Sequence, residues 1–294
     1  MRMEARAKIN WSLDITGVRE DGYHLLDMVM QPITLSDTLT LEATEGGDIS
    51  LEVAGSGIEG IPADGRNLVV RAAEALRRAC GVQQGARIRL EKRIPSGAGL
   101  GGGSSDAAAV LHGLNRLWGL GLSQERLEAI GLTLGADIPF CLRGGLCRVQ
   151  GIGERLTSLG EGPVWPLVVV QPCMGLSTGA VYGAWHQRAQ DMVIDTDALI
   201  GCLTAGELAR LPVSPGNALE PVSRAMQPAI GEAVQALLAA GAVCAQMSGS
   251  GSAVYGVLAD AKKAQEAVEA LRLRWEKTYL CETCGKNMCI CDDA

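Results

Sequence analysis

The sequence predicts an α+β protein of two domains. Its 294 residues, at about 150 per domain, give roughly two folding units. Glu161-Gly162-Pro163 breaks the pattern near the midpoint and opens onto Leu167 to Val170, a short apolar run that reads as a buried strand. Beyond that break, the order strand, helix, strand, strand, helix across 167–276 fits a ferredoxin-like domain. Before it, strands lead into a glycine-rich turn and two helices, as in an α/β domain. The expected units are 1–160, 161–276 and a cysteine-rich tail, 277–294.

Ile9-Asn10-Trp11-Ser12-Leu13-Asp14-Ile15 alternates apolar and polar residues with period two, as a half-buried strand does. Arg19-Glu20-Asp21-Gly22 is a turn, and Thr38 to Glu42 alternates again. From Asn67 to Cys80, Leu68, Val69, Ala72, Ala73 and Leu76 recur at helical spacing, and Gly81 closes the helix. Ala86 to Leu90 is a further short strand. Ala107, Val110, Leu111, Leu114 and Trp118 line one face of a helix behind the glycines. Ser123 caps another, which ends at Gly135. Pro228 opens a helix with Ile230, Ala233, Val234, Leu237 and Leu238 on its apolar face, and Gly241 ends it. Val243–Met247 and Ala253–Leu258 read as strands joined by Ser248-Gly249-Ser250-Gly251-Ser252. That loop reads equally as a plain hairpin or as a second binding turn. Asp260 caps a last helix running to Glu276.

Composition removes several classes. Apolar residues are 47% and charged residues 20%, which excludes disorder and collagen. The net charge of −7 argues against a protein that coats nucleic acid. No apolar run reaches the ~18 residues needed to span a bilayer, and the charged start, Met1 to Lys8, lacks a signal-peptide core. Cys80, Cys141, Cys147, Cys173, Cys202 and Cys244 sit mostly in apolar surroundings, as reduced thiols of a cytoplasmic protein do. A small-molecule ligand, with no nucleic-acid or membrane partner, is the expectation, for a monomer or a homodimer.

Gly97, Gly99, Gly101, Gly102 and Gly103 stand between a strand and a helix. So many glycines permit left-handed backbone and turn N–H groups inward, where the helix adds its positive end. Ser104 and Ser105 bring hydroxyls for phosphate oxygens or a metal ion. No Lys follows the glycines, so this is not a P-loop. Gly97-x-Gly99-x-x-Gly102 matches the dinucleotide fingerprint by letter, but a second helix follows where a strand and an acidic residue belong.

Four further features are suggestive together and ordinary singly. Lys8 and Asn10 share one face of the first strand, the wet face of a sheet or part of a site. Asp137, before Ile138-Pro139, reads as a helix cap and is equally suited to a catalytic role. Tyr23 and His24 follow a turn, in a chain with only five Trp, four Tyr and one Phe. His112 falls off its helix's apolar stripe and reads as solvated, and His186 has no informative context.

Ala7-Lys8-Ile9-Asn10, Asp21-Gly22-Tyr23-His24, Pro95 to Asp106, Gly135 to Phe140 and Met247 to Gly251 occur in this order. Together they resemble the GHMP small-molecule kinases, over about residues 5–275. The resemblance implies the two-domain GHMP fold, with ATP and Mg²⁺ in the cleft between domains. It implies that Pro95, Gly97, Ala98, Gly99, Leu100, Gly101, Gly102, Gly103, Ser104 and Ser105 bind ATP, with Ser105 also the guess for a Mg²⁺ ligand. Asp137 would accept a hydroxyl proton, and Lys8 would stabilise charge. Asn10, Tyr23, His24 and Tyr182 would hold the substrate, with Tyr23 and His24 on a cytosine and Tyr182 on the base's other face. Gly22-Tyr23-His24 and Gly135 to Phe140 narrow the expected activity to ATP-dependent phosphorylation of a cytidine-linked polyol, against a homoserine or mevalonate type. Arg6 stands where the family usually has proline, and Trp11 where it has a smaller apolar residue.

The tail is not a family feature. Cys281, Cys284, Cys289 and Cys291 have the spacing Cys-x₂-Cys-x₄-Cys-x-Cys. Four thiolates suit tetrahedral Zn²⁺, while a disordered tail of reactive thiols fits equally. A binding protein built around that metal is the non-enzyme reading. Either way the tail is expected to lie outside the core and to be dispensable.

Overall fold

In a computed structural model, the described residues are 1–55, 58, 60–186 and 193–285, with the backbone of 288–291. The chain opens on a long hairpin of β1 (Arg2–Val18) and β2 (His24–Thr44), followed by β3 (Ile49–Gly55), α1 (Leu68–Cys80) and β4 (Gly85–Lys92). Then come α2 (Gly102–Leu117), α3 (Gln124–Leu132), α4 (Ile138–Arg143), β5 (Cys147–Gly151) and β6 (Arg155–Ser158). The second half holds β7 (Pro166–Val170), α5 (Thr178–Trp185), α6 (Thr196–Ala205), α7 (Glu220–Met226) and α8 (Pro228–Ala239). It ends with β8 (Cys244–Met247), β9 (Val254–Val257), α9 (Ala261–Arg272), β10 (Thr278–Glu282) and β11 (Met288–Cys291).

The first sheet runs β11-β1-β2-β4-β3, with β5 and β6 continuing from β2. Its β1–β2 pairing slips between Arg6 and Lys8, and again between Asn10 and Ser12. Two bulges therefore bracket the Lys8–Asn10 step and re-aim its side chains. Ile9 and Trp11 face the second sheet, where Trp11 meets Trp165 and Tyr255 edge-on at 5.8 and 5.7 Å. Leu13, past the second bulge, joins the other core with Met3 and Ala5. Lys8 and Asn10 are buried, at 4% and 1% exposure, so theirs is not a wet face.

The second sheet runs β10-β7-β9-β8, and all its pairings are antiparallel. With α8 and α9 it completes the ferredoxin-like order, βαββαβ. The strand that completes it is β10, from the segment expected to be a tail outside the core. Thr278 and Cys281 are each 2% exposed, and β11 pairs with β1 on the far edge of the first sheet. The tail reading is thus corrected: Thr278–Glu282 buries Thr278 and Cys281 and covers the open edge of β7.

The zinc reading finds no support among the described residues. Cys281 packs in the core between the sheets, where burial, with neighbouring Cys284, pushes its thiol up to about 12. Among the described residues no three His, Cys, Asp or Glu side chains gather as a metal site. The side chains of Cys289 and Cys291 lie outside the described residues. No described helix is long and apolar enough to cross a membrane.

Candidate active site

A cleft of about 900 Å³ opens where the first sheet, the glycine loop and the β8–β9 turn meet. Lys8, Asn10, Tyr23, His24, Asp137, Tyr182, Pro95 and the residues from Gly97 to Ser104 all line it. Ser105 does not. Its hydroxyl donates to the Arg6 carbonyl at 2.5 Å and is fully buried, because one more helical step turns the side chain from the cleft onto β1. Its expected contact with phosphate or Mg²⁺ has no geometric support.

Gly97, Gly99 and Gly101 take φ of +63°, +82° and +70°, which side chains rarely tolerate. The alternation folds the backbone into a concave rim that runs into the start of α2. The N–H groups of 102–104 have no intrahelical acceptor, so the helix presents its positive end to the cleft. A second glycine turn closes from the opposite side: a Cβ on Gly99 would collide with the Ser248 carbonyl. Ser248 Oγ donates to the Gly99 carbonyl at 3.0 Å, and Ala253 N–H to the Ala98 carbonyl at 3.0 Å. The 248–252 segment joins the antiparallel β8 and β9 as a hairpin, and its Gly249 and Ser250 form a wall of the cleft. Asn217 Nδ2 fixes it by donating to the Met247 and Gly249 carbonyls, each at 2.9 Å.

Lys8 stands between the two turns. Its backbone N–H donates to the Leu100 carbonyl at 2.9 Å, and its Nζ donates to Asn10 Oδ1 at 2.6 Å. Asp137 Oδ2 lies 3.8 Å from the same Nζ. Asp137 occupies the N-cap position of α4 but makes no side-chain cap bond, so its carboxylate is left for the cleft. An ammonium and a carboxylate side by side, facing a helix N-terminus, can neutralise a phosphoryl group and take a proton from a hydroxyl.

At the other end of the cleft, His24 is packed against Tyr182 and His186, with ring centroids 4.6 Å away in each case. Trp185 meets it edge-on at 5.7 Å. Burial, and then the charge of His186, lower the His24 pKa from its ordinary 6.5. Burial, then the charge of Asp137, raise that of Tyr182. Tyr23 is 61% exposed and offers its ring to the cleft. The contact with His186 had no sequence signal, since only the fold of α5 over β2 creates it. His112 is half-buried rather than solvated, and burial lowers its pKa.

Three charged residues under the glycine loop were also missed. Lys92 Nζ donates to Asp106 Oδ2 at 2.7 Å and to Asp37 Oδ2. All three are 5% exposed or less. Burial drives the Asp106 carboxyl well up, against the pull of Lys92. Lys92 stays above its ordinary value because the two carboxylates outweigh its burial.

The models for the GHMP kinases N-terminal and C-terminal domains match residues 67–145 and 203–277. The 4-diphosphocytidyl-2-C-methyl-D-erythritol kinase of Pelotomaculum thermopropionicum is 44% identical over 95% of this chain and 96% of its own. That of Alkaliphilus metalliredigens is 40% identical over 98% of each. A crystal structure of 4-(cytidine 5'-diphospho)-2C-methyl-D-erythritol kinase superposes with a TM-score of 0.81 at 37% identity, covering 97% of this chain and 100% of that one. Homoserine kinase from Cytophaga hutchinsonii superposes at 0.78 with 17% identity, a likeness of fold alone. The chain belongs to the GHMP kinase family and, within it, to the group of the 4-diphosphocytidyl-2-C-methyl-D-erythritol kinases. It is an ATP-dependent small-molecule kinase with the α+β fold of that family.

Proposed function

We propose that this protein transfers the γ-phosphoryl group of ATP to the 2-hydroxyl of 4-diphosphocytidyl-2-C-methyl-D-erythritol, giving the 2-phosphate and ADP. The reaction belongs to the non-mevalonate route to isopentenyl diphosphate. Its place is the cytoplasm, in keeping with Cys80, Cys147, Cys173, Cys202 and Cys244, which are thiols outside any disulfide. The observation that carries the reading is the Lys8–Asp137 pair, 3.8 Å apart at the mouth of the glycine loop.

Phosphoryl transfer asks for position and charge neutralisation more than covalent help. The glycine rim and the first turn of α2 hold the phosphates through backbone N–H groups. Asn10 Oδ1 steers the Lys8 ammonium toward the transferring group. Asp137 receives the hydroxyl proton, which leaves late, so reach and orientation matter more than basicity. The hard oxygens on this wall, the Asp137 carboxylate and the Ser104 hydroxyl, suit Mg²⁺, which keeps most of its other ligands as water and phosphate. When bound, that ion neutralises phosphate charge.

Tyr23, His24 and Tyr182 form the base end. Tyr23→Ala and His24→Ala are expected to raise KM for the cytidine substrate, and KM for ATP by much less, since stacking is worth about 1–3 kcal/mol per base. His24 binds as the neutral ring. Its pKa is lowered in the fold, so the ring stays neutral below its ordinary value of 6.5 and its contribution weakens as pH falls through the lowered folded-state value. KM for the cytidine substrate should therefore climb on the acid side, and His24→Asn should flatten the climb. A rise in KM for ATP alone would assign these residues to the adenine.

The function itself is tested by ADP release with a panel of alcohols. The cytidine-linked polyol should exceed homoserine and mevalonate by ~10³ in kcat/KM or more. Comparable turnover of either of those would overturn the substrate assignment.

A further inference from the structure

The glycine loop needs a device to hold it, because a run with glycine at 97, 99 and 101 loses much conformational freedom when ordered. Its two stems are the end of β4 and the start of α2. Lys92 is the last residue of β4, and Asp106 lies in the second turn of α2. Asp37 comes from the middle of β2 and accepts from both Arg93 N–H, at 2.5 Å, and Ile94 N–H, at 2.9 Å. The same Asp37 receives Lys92 Nζ through its other oxygen. One ammonium thus ties the incoming stem, the outgoing helix and the sheet together.

We infer that Asp37, Lys92 and Asp106 are positioning residues that pre-organise the glycine loop for the phosphates of ATP. The inference rests on the placement of those phosphates on the loop and adds what holds the loop ready for them. The three sit directly beneath the rim: a Cβ on Gly102 would come within 3.3 Å of Lys92 Nζ. Lys92 and Asp106 also line the cleft, but the cluster's own bonds run among β2, the end of β4 and α2 and not to Lys8, Asp137 or the aromatic end. Asp106 Oδ1 is buried and takes no hydrogen bond among the described residues, so its carboxylate meets Lys92 through Oδ2. Loss of that link leaves Lys92 paired with Asp37 and the first turn of α2 tied to β1 through Ser105 Oγ on the Arg6 carbonyl, so the outgoing stem loosens where it meets the loop. Backbone donors that must first be ordered bind phosphate more weakly, while acceptor binding is untouched.

The test compares Asp106→Ala, Asp106→Asn and Ser104→Ala in the full chain, by steady-state kinetics and by calorimetric titration with ATP. Asp106→Ala should raise KM and Kd for ATP by about tenfold or more, with KM for the alcohol within about threefold. Asp106→Asn keeps an oxygen for Lys92 and should return ATP affinity to within about threefold of the parent. An alanine variant that melts earlier yet binds ATP as the parent does would overturn the inference. So would an asparagine variant as weak as the alanine one, or equal losses for both substrates. Ser104→Ala reports separately on the loop as the phosphate site: if it alone leaves ATP affinity unchanged, that placement is at fault and not the clamp.

Discussion

Asp137→Asn should lower kcat by ~10²–10⁴, the usual worth of a positioned general base, with KM for ATP little changed. Asparagine matches the carboxylate in size and keeps one oxygen, so α4 should form as before; Asp137 makes no side-chain cap bond to lose. What disappears is the proton acceptor and the negative partner 3.8 Å from Lys8 Nζ. Lys8→Met should also lower kcat strongly, since Lys8 brings its ammonium to the point where the two glycine turns meet. The pair acts as one unit, so the double variant should be little worse than the poorer single one. Both variants can be read in the same ADP-release assay, with thermal melts to confirm that the fold is intact. Turnover like the parent's in Asp137→Asn would remove the proposed base.

Truncation after Glu276 should abolish the folded state, the reverse of what the cysteine spacing suggests. The cut deletes β10 and uncovers the edge of β7, whose Leu167, Val168, Val169 and Val170 are all fully buried. Each such side chain gains about 1.5–3 kcal/mol from burial, in a protein whose whole stability is of order 5–15 kcal/mol. The cut also removes Thr283, whose N–H donates to the Trp165 carbonyl at 3.0 Å and whose hydroxyl donates to the Pro163 carbonyl at 2.7 Å. Cys284 N–H donates to the Pro32 carbonyl at 2.9 Å, tying the segment to the strand opposite Lys8. Truncation after Gly285 keeps all of these and, among the described residues, removes the β11 pairing from the sheet edge. It should melt cooperatively, a few degrees below the parent. Circular dichroism of the two truncations separates the cases, and a cooperative melt for the shorter one would contradict the role given to β10.

Much of this architecture is legible in the residues. Period-two alternation marks β1, and the caps Ser123 and Asp260 mark helix starts that the structure reproduces with side-chain bonds to Arg126 and Lys263 N–H groups. The glycine loop is legible because left-handed backbone at alternate positions leaves a compositional trace. Bulges leave none: the slip between Asn10 and Ser12 sends Leu13 to a different core from Trp11, although the pattern puts them on one face. β10 was hidden because Cys281, its one cysteine, pairs in sequence with Cys284 and reads more readily as part of a metal turn than as a sheet edge. The clamp was hidden for another reason. Lys92 meets Asp37 across 55 residues and Asp106 across 14, distances over which local pattern carries no information.

The identity of the phosphorylated hydroxyl defines the reaction. Purified protein, ATP, Mg²⁺ and 4-diphosphocytidyl-2-C-methyl-D-erythritol should be followed by ³¹P NMR. The account predicts one new phosphomonoester resonance on the 2-oxygen of the erythritol, equal in amount to the ADP formed and absent with Asp137→Asn. ADP without that resonance, a phosphate on another oxygen, or an undiminished signal from Asp137→Asn would contradict it.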